Sequence, residues 1–265
     1  MTDPQGGAQY FAGAARDPQP YLGHPVQPQF RLVGGPDFRS LGGVATATTV
    51  LLGAAGLASL IGMFPFFNRV GAIDDYIANS ASPADLRAAD DAVVSLLTVN
   101  FLVTVATGVL FMIWQYRLAQ NAELLRRDRL SFGPGWAIGG WFIPFANFVL
   151  PYLQLRQSAR ASDPDLPPGE SFRNGRVPGI VTAWTVLFIA STALMAVGIG
   201  MRGQPEDARY QAHPVREFGE AFASGDRVAG LSMLVSVAAA IVAILMVRTV
   251  TARQDKAIQN LVSPM

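Results

Sequence analysis

Four long apolar stretches dominate this chain and restrict its fold more than any other feature. Their interiors contain no Asp, Glu, Lys, Arg or His, and they cover residues 41–67, 92–116, 179–201 and 229–247. About 20 apolar residues are enough to cross a hydrocarbon layer about 30 Å thick, and a helix satisfies the backbone hydrogen bonds that lipid cannot. The sequence therefore predicts four membrane-spanning α-helices.

Composition supports a membrane protein and argues against several functions. Of the 265 residues, 51% are hydrophobic and 15% charged, and the mean hydropathy of +0.30 is too high for an ordinary soluble domain. A net charge of +1 provides no broad positive field, so we expect no nucleic-acid partner. The chain has no cysteine, two histidines (His24 and His213), and no HExxH, GxSxG or Walker motif. We therefore expect no metal, no other cofactor and no enzymatic activity.

The sequence divides into three parts. Residues 1–40 are rich in Pro, Gln, Gly and Ala and show no helical or strand periodicity. Such a composition buries too little apolar surface to fold, so we expect a disordered cytoplasmic tail. Residues 41–257 form the expected transmembrane helical domain, and residues 258–265 form a short C-terminal tail.

A fifth apolar stretch, residues 134–155, is long enough to span a membrane but contains Gly139, Gly140, Pro144 and Pro151. Proline in a helix interior removes a hydrogen bond and kinks or ends the helix. The stretch either crosses the membrane fully or enters and returns to the same side. The predicted fold class is all-α: a polytopic transmembrane helix bundle with four full spans, a Pro/Gly-broken fifth segment and a disordered N-terminal tail.

The distribution of basic residues separates these two topologies, because cytoplasmic loops retain more Lys and Arg. If the fifth segment returns to its own side, 14 basic residues lie inside and 6 outside. If it crosses, the division is 11 to 9. We therefore expect the segment to return and both termini to be cytoplasmic.

Three local patterns predict structure in the loops. Ser82-Pro83-Ala84-Asp85 supplies a cap residue, a proline at the first helical position and an acid in the first turn, which predicts a helix start. Phe218 and Phe222, four residues apart, predict a short surface helix before the last span. The run Ser224-Gly225-Asp226 is interpreted as a turn.

Polar and small residues within the spans predict contacts between helices. Asn100 has no membrane carboxylate nearby in sequence, so its amide is expected to bond across to another helix rather than hold an ion. Small residues at four-residue spacing predict close helix contact, within the chain or in a dimer. They are Ala54, Ala58 and Gly62 in the first span, and Ser232, Ser236 and Ala240 in the last.

Two polar stripes lie on consecutive segments and are the candidate site. Helical spacing puts the members of each stripe on one face: Trp114, Arg117 and Asn121 at the end of the second span, and Pro144, Asn147, Pro151 and Gln154 in the broken segment, which also carries Trp141. If that segment is helical, each proline leaves the carbonyl four residues earlier, that of Gly140 or Asn147, without a donor. The predicted donors are the Arg117 guanidinium and the amides of Asn121 and Asn147.

These residues support two alternatives. The first is a polar clasp that holds a kinked helix against its neighbour, with interfacial aromatic residues around it: Trp114, Tyr116, Trp136 and Tyr152. The second is a polar cavity that receives an anionic or carbonyl-bearing ligand, with Arg117 as its anchor. We favour the clasp, because polar contacts between membrane helices are common.

The order of the polar and aromatic residues resembles a known family. The pattern comprises Trp114, Arg117, Asn121 and Ala122, then Pro134, Trp141, Pro144, Asn147, Pro151 and Tyr152. It is similar to multi-pass membrane proteins of actinobacteria grouped as domain of unknown function 4328. Trp184 after Pro178, and Gln254 in Thr251-Ala-Arg-Gln, are similar to weaker features of that family. The resemblance covers about residues 41–257 and implies a membrane location and a shared fold, but no catalytic residues, since the family has no established activity.

The leading hypothesis is a non-enzymatic integral protein of the bacterial inner (plasma) membrane. It would be surrounded by the lipid bilayer and act as a scaffold or regulatory partner of another membrane protein or of a second copy of itself. The alternative is a channel or carrier for a small solute or lipid, through a cavity beside Pro144. An intramembrane hydrolase ranks third, because the sequence offers no identifiable nucleophile.

Overall fold

Helices account for most of the described chain. The computed structural model describes residues 37–126, 129–167, 170–202 and 214–262, and the chain from Phe38 onward forms one unit. Residues 1–36, which hold most of the predicted disordered tail, lie outside the described residues. The helices are α1 (Gly42–Ile77), α2 (Pro83–Arg126), α3 (Trp136–Gly139), α4 (Leu150–Ala161), α5 (Gly179–Gly200) and α6 (Pro214–Val262), with 3-10 turns at Ala146–Phe148 and Phe172–Asn174.

Four of these helices, α1, α2, α5 and α6, are long and apolar enough to cross a membrane. Each contains one of the four predicted spans, and the described residues include no strand. The predicted all-α bundle of membrane-spanning helices is therefore confirmed. α6 packs against α1 and α5, and α1 also packs against α2, so the neighbouring helices follow the order α2, α1, α6, α5.

Small and polar residues form the contact face of α1. A Cβ atom on Gly56 would lie 3.1 Å from the Cβ of Ala240, so α1 and α6 approach closely there. Asn100 Nδ2 donates to Ser59 Oγ at 3.2 Å, which confirms the predicted bond from the second span to another helix. The predicted small-residue stripe of α1 is wrong in part: Ala54 is exposed, whereas Gly56 and Ser59 are buried.

The start of α2 follows its sequence signal. The helix begins at Pro83, and Asp85 Oδ2 accepts hydrogen bonds from the backbone nitrogen and the hydroxyl of Ser82 at 2.9 and 2.8 Å. These bonds satisfy groups that are otherwise unpaired at a helix start. The predicted helix start at Ser82-Pro83 is confirmed.

α6 is longer at both ends than the sequence predicts. The expected separate helix around Phe218 and the expected turn at Ser224-Gly225-Asp226 are both wrong, because these residues are part of α6. Gly225 fits inside the helix because it meets α5 backbone to backbone: a Cβ on Gly198 would lie 2.7 Å from the Gly225 carbonyl oxygen. α6 also continues to Val262, so the predicted C-terminal tail is helical from 258 to 262.

The bundle has two chemically different ends. At the first, which we call the clasp end, Arg39 N donates to Asn121 Oδ1 at 2.8 Å and Asn121 Nδ2 donates to Gln254 Oε1 at 3.0 Å. At the second, which we call the ion end, Arg69 of α1 bonds to Asp226 of α6. The start of α1 and the end of α6 therefore lie at the same end of the bundle.

The broken fifth segment enters the bundle and returns to the clasp end. Residues 134–155 form α3, a 3-10 turn and the first turns of α4 instead of one helix. α4 contacts the end of α2, and Arg253 of α6 donates to the Arg176 carbonyl just before α5 at 3.0 Å. The alternative of a full crossing is therefore wrong. The ring centroids of Trp141 and Phe188 lie 5.9 Å apart, which places the segment about 14 Å along the axis of α5.

Candidate functional site

A buried layer of polar side chains ties the helices together at the clasp end. We call it the polar layer. Its members are Trp114, Gln115, Asn121, Gln154, Ser158, Ser162, Thr251 and Gln254, and each is at most 8% exposed. They come from α2, α4 and the residue after it, and α6. Buried polar groups are costly unless they are hydrogen-bonded, so their partners decide whether this layer is stable.

Gln254 and Asn121 connect three parts of the polar layer. Gln254 Nε2 donates to Ser162 Oγ at 2.9 Å and to the Leu118 carbonyl at 3.0 Å, while its Oε1 accepts from Asn121. Asn121 also exchanges two bonds of 2.8 Å with the backbone of Arg39. One pair of amides thus joins the residues before α1, the end of α2, the end of α4 and the last turns of α6.

Gln115 of α2 connects the broken segment to that helix. Its Nε2 donates to Gln154 Oε1 at 2.7 Å and to the Pro151 carbonyl at 2.8 Å, and Gln154 Nε2 continues to Ser158 Oγ at 2.9 Å. Gln115 Oε1 accepts a long bond from Trp141 Nε1 at 3.4 Å. Gln115 therefore holds the segment to α2 at Trp141 and again near its end, at Pro151 and Gln154.

The sequence-predicted residues divide into two groups. Asn121 and Trp114 lie in the polar layer, Trp114 donating to Thr251 Oγ1 at 3.0 Å, and Trp141 and Pro151 bond to it. Arg117 is not part of the polar layer, because its Nη1 donates to the Ser40 carbonyl at 3.2 Å near the surface. Trp114 is fully buried, so its predicted place among the interfacial aromatic residues is wrong.

The prolines act differently from the prediction. Pro151 is the second residue of α4, in the first turn, where no intrahelical donor is required, and Pro144 lies in the non-helical stretch before the 3-10 turn. The expected repair of the Gly140 and Asn147 carbonyls by Arg117 or Asn121 is therefore wrong, because no kinked helix is present to repair. Asn147 instead has a buried Oδ1 without a hydrogen-bond partner.

Of the three glutamines in this layer, only Gln115 is absent from the sequence-based predictions. Gln115 lies next to the predicted stripe residue Trp114, one position away on a helix, and so on a different face. The sequence indicates Gln254 only through the family resemblance, and Gln154 only through its spacing from Pro151. The signal that identifies them is an amide near the end of an apolar run: Gln115 and Gln154 lie one residue inside the stretches 92–116 and 134–155, and Gln254 lies seven residues past 229–247. Such a residue remains buried yet needs a partner.

A second buried cluster lies at the ion end. Arg69 donates two hydrogen bonds to Asp226, from Nε to Oδ2 at 2.6 Å and from Nη2 to Oδ1 at 2.7 Å. Its Nη1 donates to Asp90 at 3.1 Å. Arg202, just after α5, lies 3.0 Å from Asp226 Oδ1 through Nη2, close enough for an ion pair but without hydrogen-bond geometry. We call these four residues the ion cluster. It joins α1, α2, α5 and α6.

Aromatic rings and burial set the electrostatics of the ion cluster. Asp226 is fully buried and Arg69 is 4% exposed. Both guanidinium groups lie 4.9–5.9 Å from the ring centroids of Phe66 and Phe222, within cation–π range. Burial lowers the pKa of Arg202, and the charge of Asp226 opposes that change. The arginines therefore depend on Asp226 as their shared counter-ion.

Residues 37–126, 129–167, 170–202 and 214–262 contain no cluster of three His, Cys, Asp or Glu side chains that could hold an ion. What the two clusters offer is hydrogen bonding and ion pairing between helices.

Comparison with protein families identifies one family. The model of the family described as Domain of unknown function (DUF4328) matches residues 78–252. The chain belongs to this family. No curated protein and no solved structure matches it significantly. The matched range includes Gln115, Asn121 and Asp226, whereas Arg69 and Gln254 lie just outside it.

We predict that Gln254→Leu destabilises the protein by about 2 kcal/mol, because it leaves Asn121, Ser162 and the Leu118 carbonyl short of a partner. The measurement is denaturation in mixed detergent micelles. Gln259→Leu is the matched control, since Gln259 is exposed on the same helix. Equal stability of the two variants would contradict the importance of the polar layer.

We predict a larger loss, about 3–5 kcal/mol, for Asp226→Ala, because Arg202 would then lose the carboxylate it pairs with and Arg69 would keep only the half-exposed Asp90. Asp91→Ala removes an exposed acid one position from the ion-cluster residue Asp90 and should leave stability unchanged. The same micelle denaturation measures both. An Asp226→Ala protein as stable as wild type would show that the cluster contributes nothing to the fold.

Proposed function

We propose that this family member is a non-enzymatic scaffold or regulatory protein of the membrane. The observation that carries the proposal is the closed state of the polar layer: the amides of Gln115, Asn121, Gln154 and Gln254 bond to partners within the chain. A conduction path needs polar groups that face a cavity. Amides that are already paired inside the protein support a structural use instead.

A channel or carrier is the second candidate, and one observation favours it. Asn147 Oδ1, within the broken segment, is buried without a hydrogen-bond partner, and a transported solute could donate to it. The anchor expected for such a ligand, Arg117, donates to the Ser40 carbonyl instead and is partly exposed. The site beside Pro144 therefore has an acceptor but lacks the expected cation, and the scaffold is favoured.

The proposed location is the bacterial inner membrane, with the clasp end and both termini in the cytoplasm. Among the described residues from Phe38 onward, the helix ends and loops at the clasp end carry eleven basic and five acidic residues, and those at the ion end five basic and eight acidic. Cytoplasmic loops retain an excess of Lys and Arg, so the asymmetry supports this orientation.

The proposed partner is another membrane helix or a second copy of the chain. In the most apolar stretch of α2 only 11% of the residues are buried, against 44% in α6. Large apolar side chains cover the outer face of α2: Val94, Phe101, Leu102, Val105 and Val109 are 46–66% exposed. Lipid satisfies such a face, and so does a partner helix.

The decisive experiment compares association with transport. The full-length protein, purified in mild detergent, should recover the same partner or a defined homo-oligomer in independent preparations and conduct nothing after reconstitution into liposomes. Measurable flux without any reproducible partner would reject the scaffold. In that case Asn147→Ala should abolish flux while the protein remains folded, and Asn174→Ala, an amide change outside the broken segment, should not.

We predict the orientation from single cysteines, since the native chain has none. On intact cells an impermeant thiol reagent should label Ser80→Cys, in the turn between α1 and α2, and leave Ser171→Cys and Ser263→Cys unlabelled. Permeabilised cells, in which all three should react, provide the control. Labelling of Ser171→Cys on intact cells would reverse the proposed orientation.

A further inference from the structure

The middle of α2 has polar atoms at the surface of the bundle. Asn100 and Thr104 lie four residues apart in the apolar run 92–116, and Thr104 is its central residue. Thr104 is exposed, and so is the 3.4 Å hydrogen bond that its hydroxyl donates to Asn100 Oδ1. The pair therefore lies near the centre of the hydrocarbon layer, about 15 Å from the headgroups on either side.

The hydrogen bonds of this pair are incomplete. The other two threonines of α2, Thr98 and Thr107, each donate to the carbonyl four residues earlier, at 2.8 and 2.7 Å. Among the described residues, Thr104 instead makes one long bond, to Asn100. The Asn100 amide can donate twice, and within the same residues its Nδ2 donates once, to Ser59 Oγ at 3.2 Å. One N–H of Asn100 and the Thr104 oxygen thus remain for a partner outside the chain.

The hydrocarbon around α2 restricts what that partner can be. Hydrocarbon has neither donors nor acceptors, so lipid tails cannot complete these bonds. A polar side chain on another membrane helix can, and hydrogen bonds of this kind contribute to the association of helices in lipid. The polar pair therefore favours a protein partner over lipid at this position.

The face of α2 beside the polar pair is open to such a helix. Phe101, Thr104 and Gly108 follow one another at spacings of three and four residues, so they share one face. Phe101 is 66% exposed, and a Cβ atom on Gly108 would have no neighbour within 4 Å. Small residues four positions apart let two helix backbones approach closely, so this face can accept a helix.

A second copy of the chain matches this face. Copies of a membrane protein share one orientation, so two α2 helices that meet run parallel and bring each residue to the depth of its own counterpart. Because an amide both donates and accepts, Asn100 and Thr104 are complementary to the same two residues across a two-fold axis. Among the membrane-spanning helices of its own chain, α2 packs mainly against α1, which leaves this face free.

We propose that two copies form a symmetric dimer in which the α2 helices pack through Phe101, Thr104 and Gly108, with Asn100 hydrogen-bonded across the axis. Close approach at Gly108 brings the two backbones together, and the polar pair fixes their register. The second copy is then the partner of the proposed scaffold, so the dimer rests on that proposed function.

The test is subunit counting by single-molecule photobleaching of the labelled full-length protein in liposomes, at increasing dilution with lipid. The wild-type protein should form dimers. Gly108→Leu should weaken association about tenfold, because a large side chain keeps the two backbones apart. The variant should remain folded, since a Cβ at this position meets no atom of its own chain within 4 Å, and an unchanged melting temperature checks this.

Gly53→Leu is the matched control. Gly53 is exposed in the middle of α1, and a Cβ atom there also has no neighbour within 4 Å. The substitution adds the same side chain at a similar depth on a different helix, so it should leave the dimer intact. Equal loss of the dimer in both variants would overturn the proposal, and so would a Gly108→Leu protein that associates as tightly as wild type.

A second set of variants tests the polar pair. Thr104→Val removes the hydroxyl, keeps the shape of the side chain and should weaken association about fivefold. Thr104→Ser keeps the hydroxyl and should associate as the wild type does. Thr98→Val removes a hydroxyl that is already bonded to the Val94 carbonyl, so it should have no effect. Equal association of Thr104→Val and the wild-type protein would overturn the proposal.

The outcomes for the wild-type protein separate the dimer from the scaffold function. A protein that is monomeric in liposomes but recovers one reproducible membrane partner would overturn the dimer and leave the scaffold standing. A trimer or larger oligomer would also overturn the two-fold dimer. A dimer that is lost in Gly108→Leu, together with measurable flux, would support the dimer and reject the scaffold.

Discussion

The structure depends on the rule that polar groups at membrane depth must find their partners inside the protein. The helices satisfy their own backbones, but four long apolar helices have no hydrophobic reason to choose one arrangement in lipid. The polar layer at one end and the ion cluster at the other favour a single arrangement of the four helices. At the clasp end neutral amides form a branched network, and at the ion end two arginines share one buried aspartate. Between them, direct packing such as Gly56 against Ala240 fills the contacts.

The sequence predicts where the membrane spans lie, but it does not predict which face of each helix points toward its neighbours. Apolar length alone identified α1, α2, α5 and α6, and the Ser82 pattern located the start of α2. The residues of the polar layer are harder to predict, because successive residues of a helix point about 100° apart around its axis. A small error in the rotation of α2 therefore exchanges Arg117 for one of its neighbours as the buried residue. The run Ser224-Gly225-Asp226 predicts a turn, and nothing near Asp226 in the sequence indicates its partner, because Arg69 is 157 residues away.

The broken segment shows how proline can end one helix and begin another within a bundle. Gly140 and Pro144 stop α3 from continuing, and Pro151 is accommodated in the first turn of α4. At the tip, Phe145 adopts a φ of 62° and is 88% exposed. An exposed phenylalanine is unfavourable in water and favourable in hydrocarbon, so the same residue that looks misplaced in a soluble protein is consistent with a segment that faces lipid.

The meeting of Gly198 and Gly225 leaves no room for a side chain between the backbones of α5 and α6. The two helices therefore cannot separate there without losing van der Waals contact, and neither can move closer. Gly225 lies 29 residues before Gln254, about 43 Å along α6, so a tilt of a few degrees about this contact would displace Gln254 by several ångströms. The bonds of Gln254 to Asn121, the Leu118 carbonyl and Ser162 oppose such a tilt.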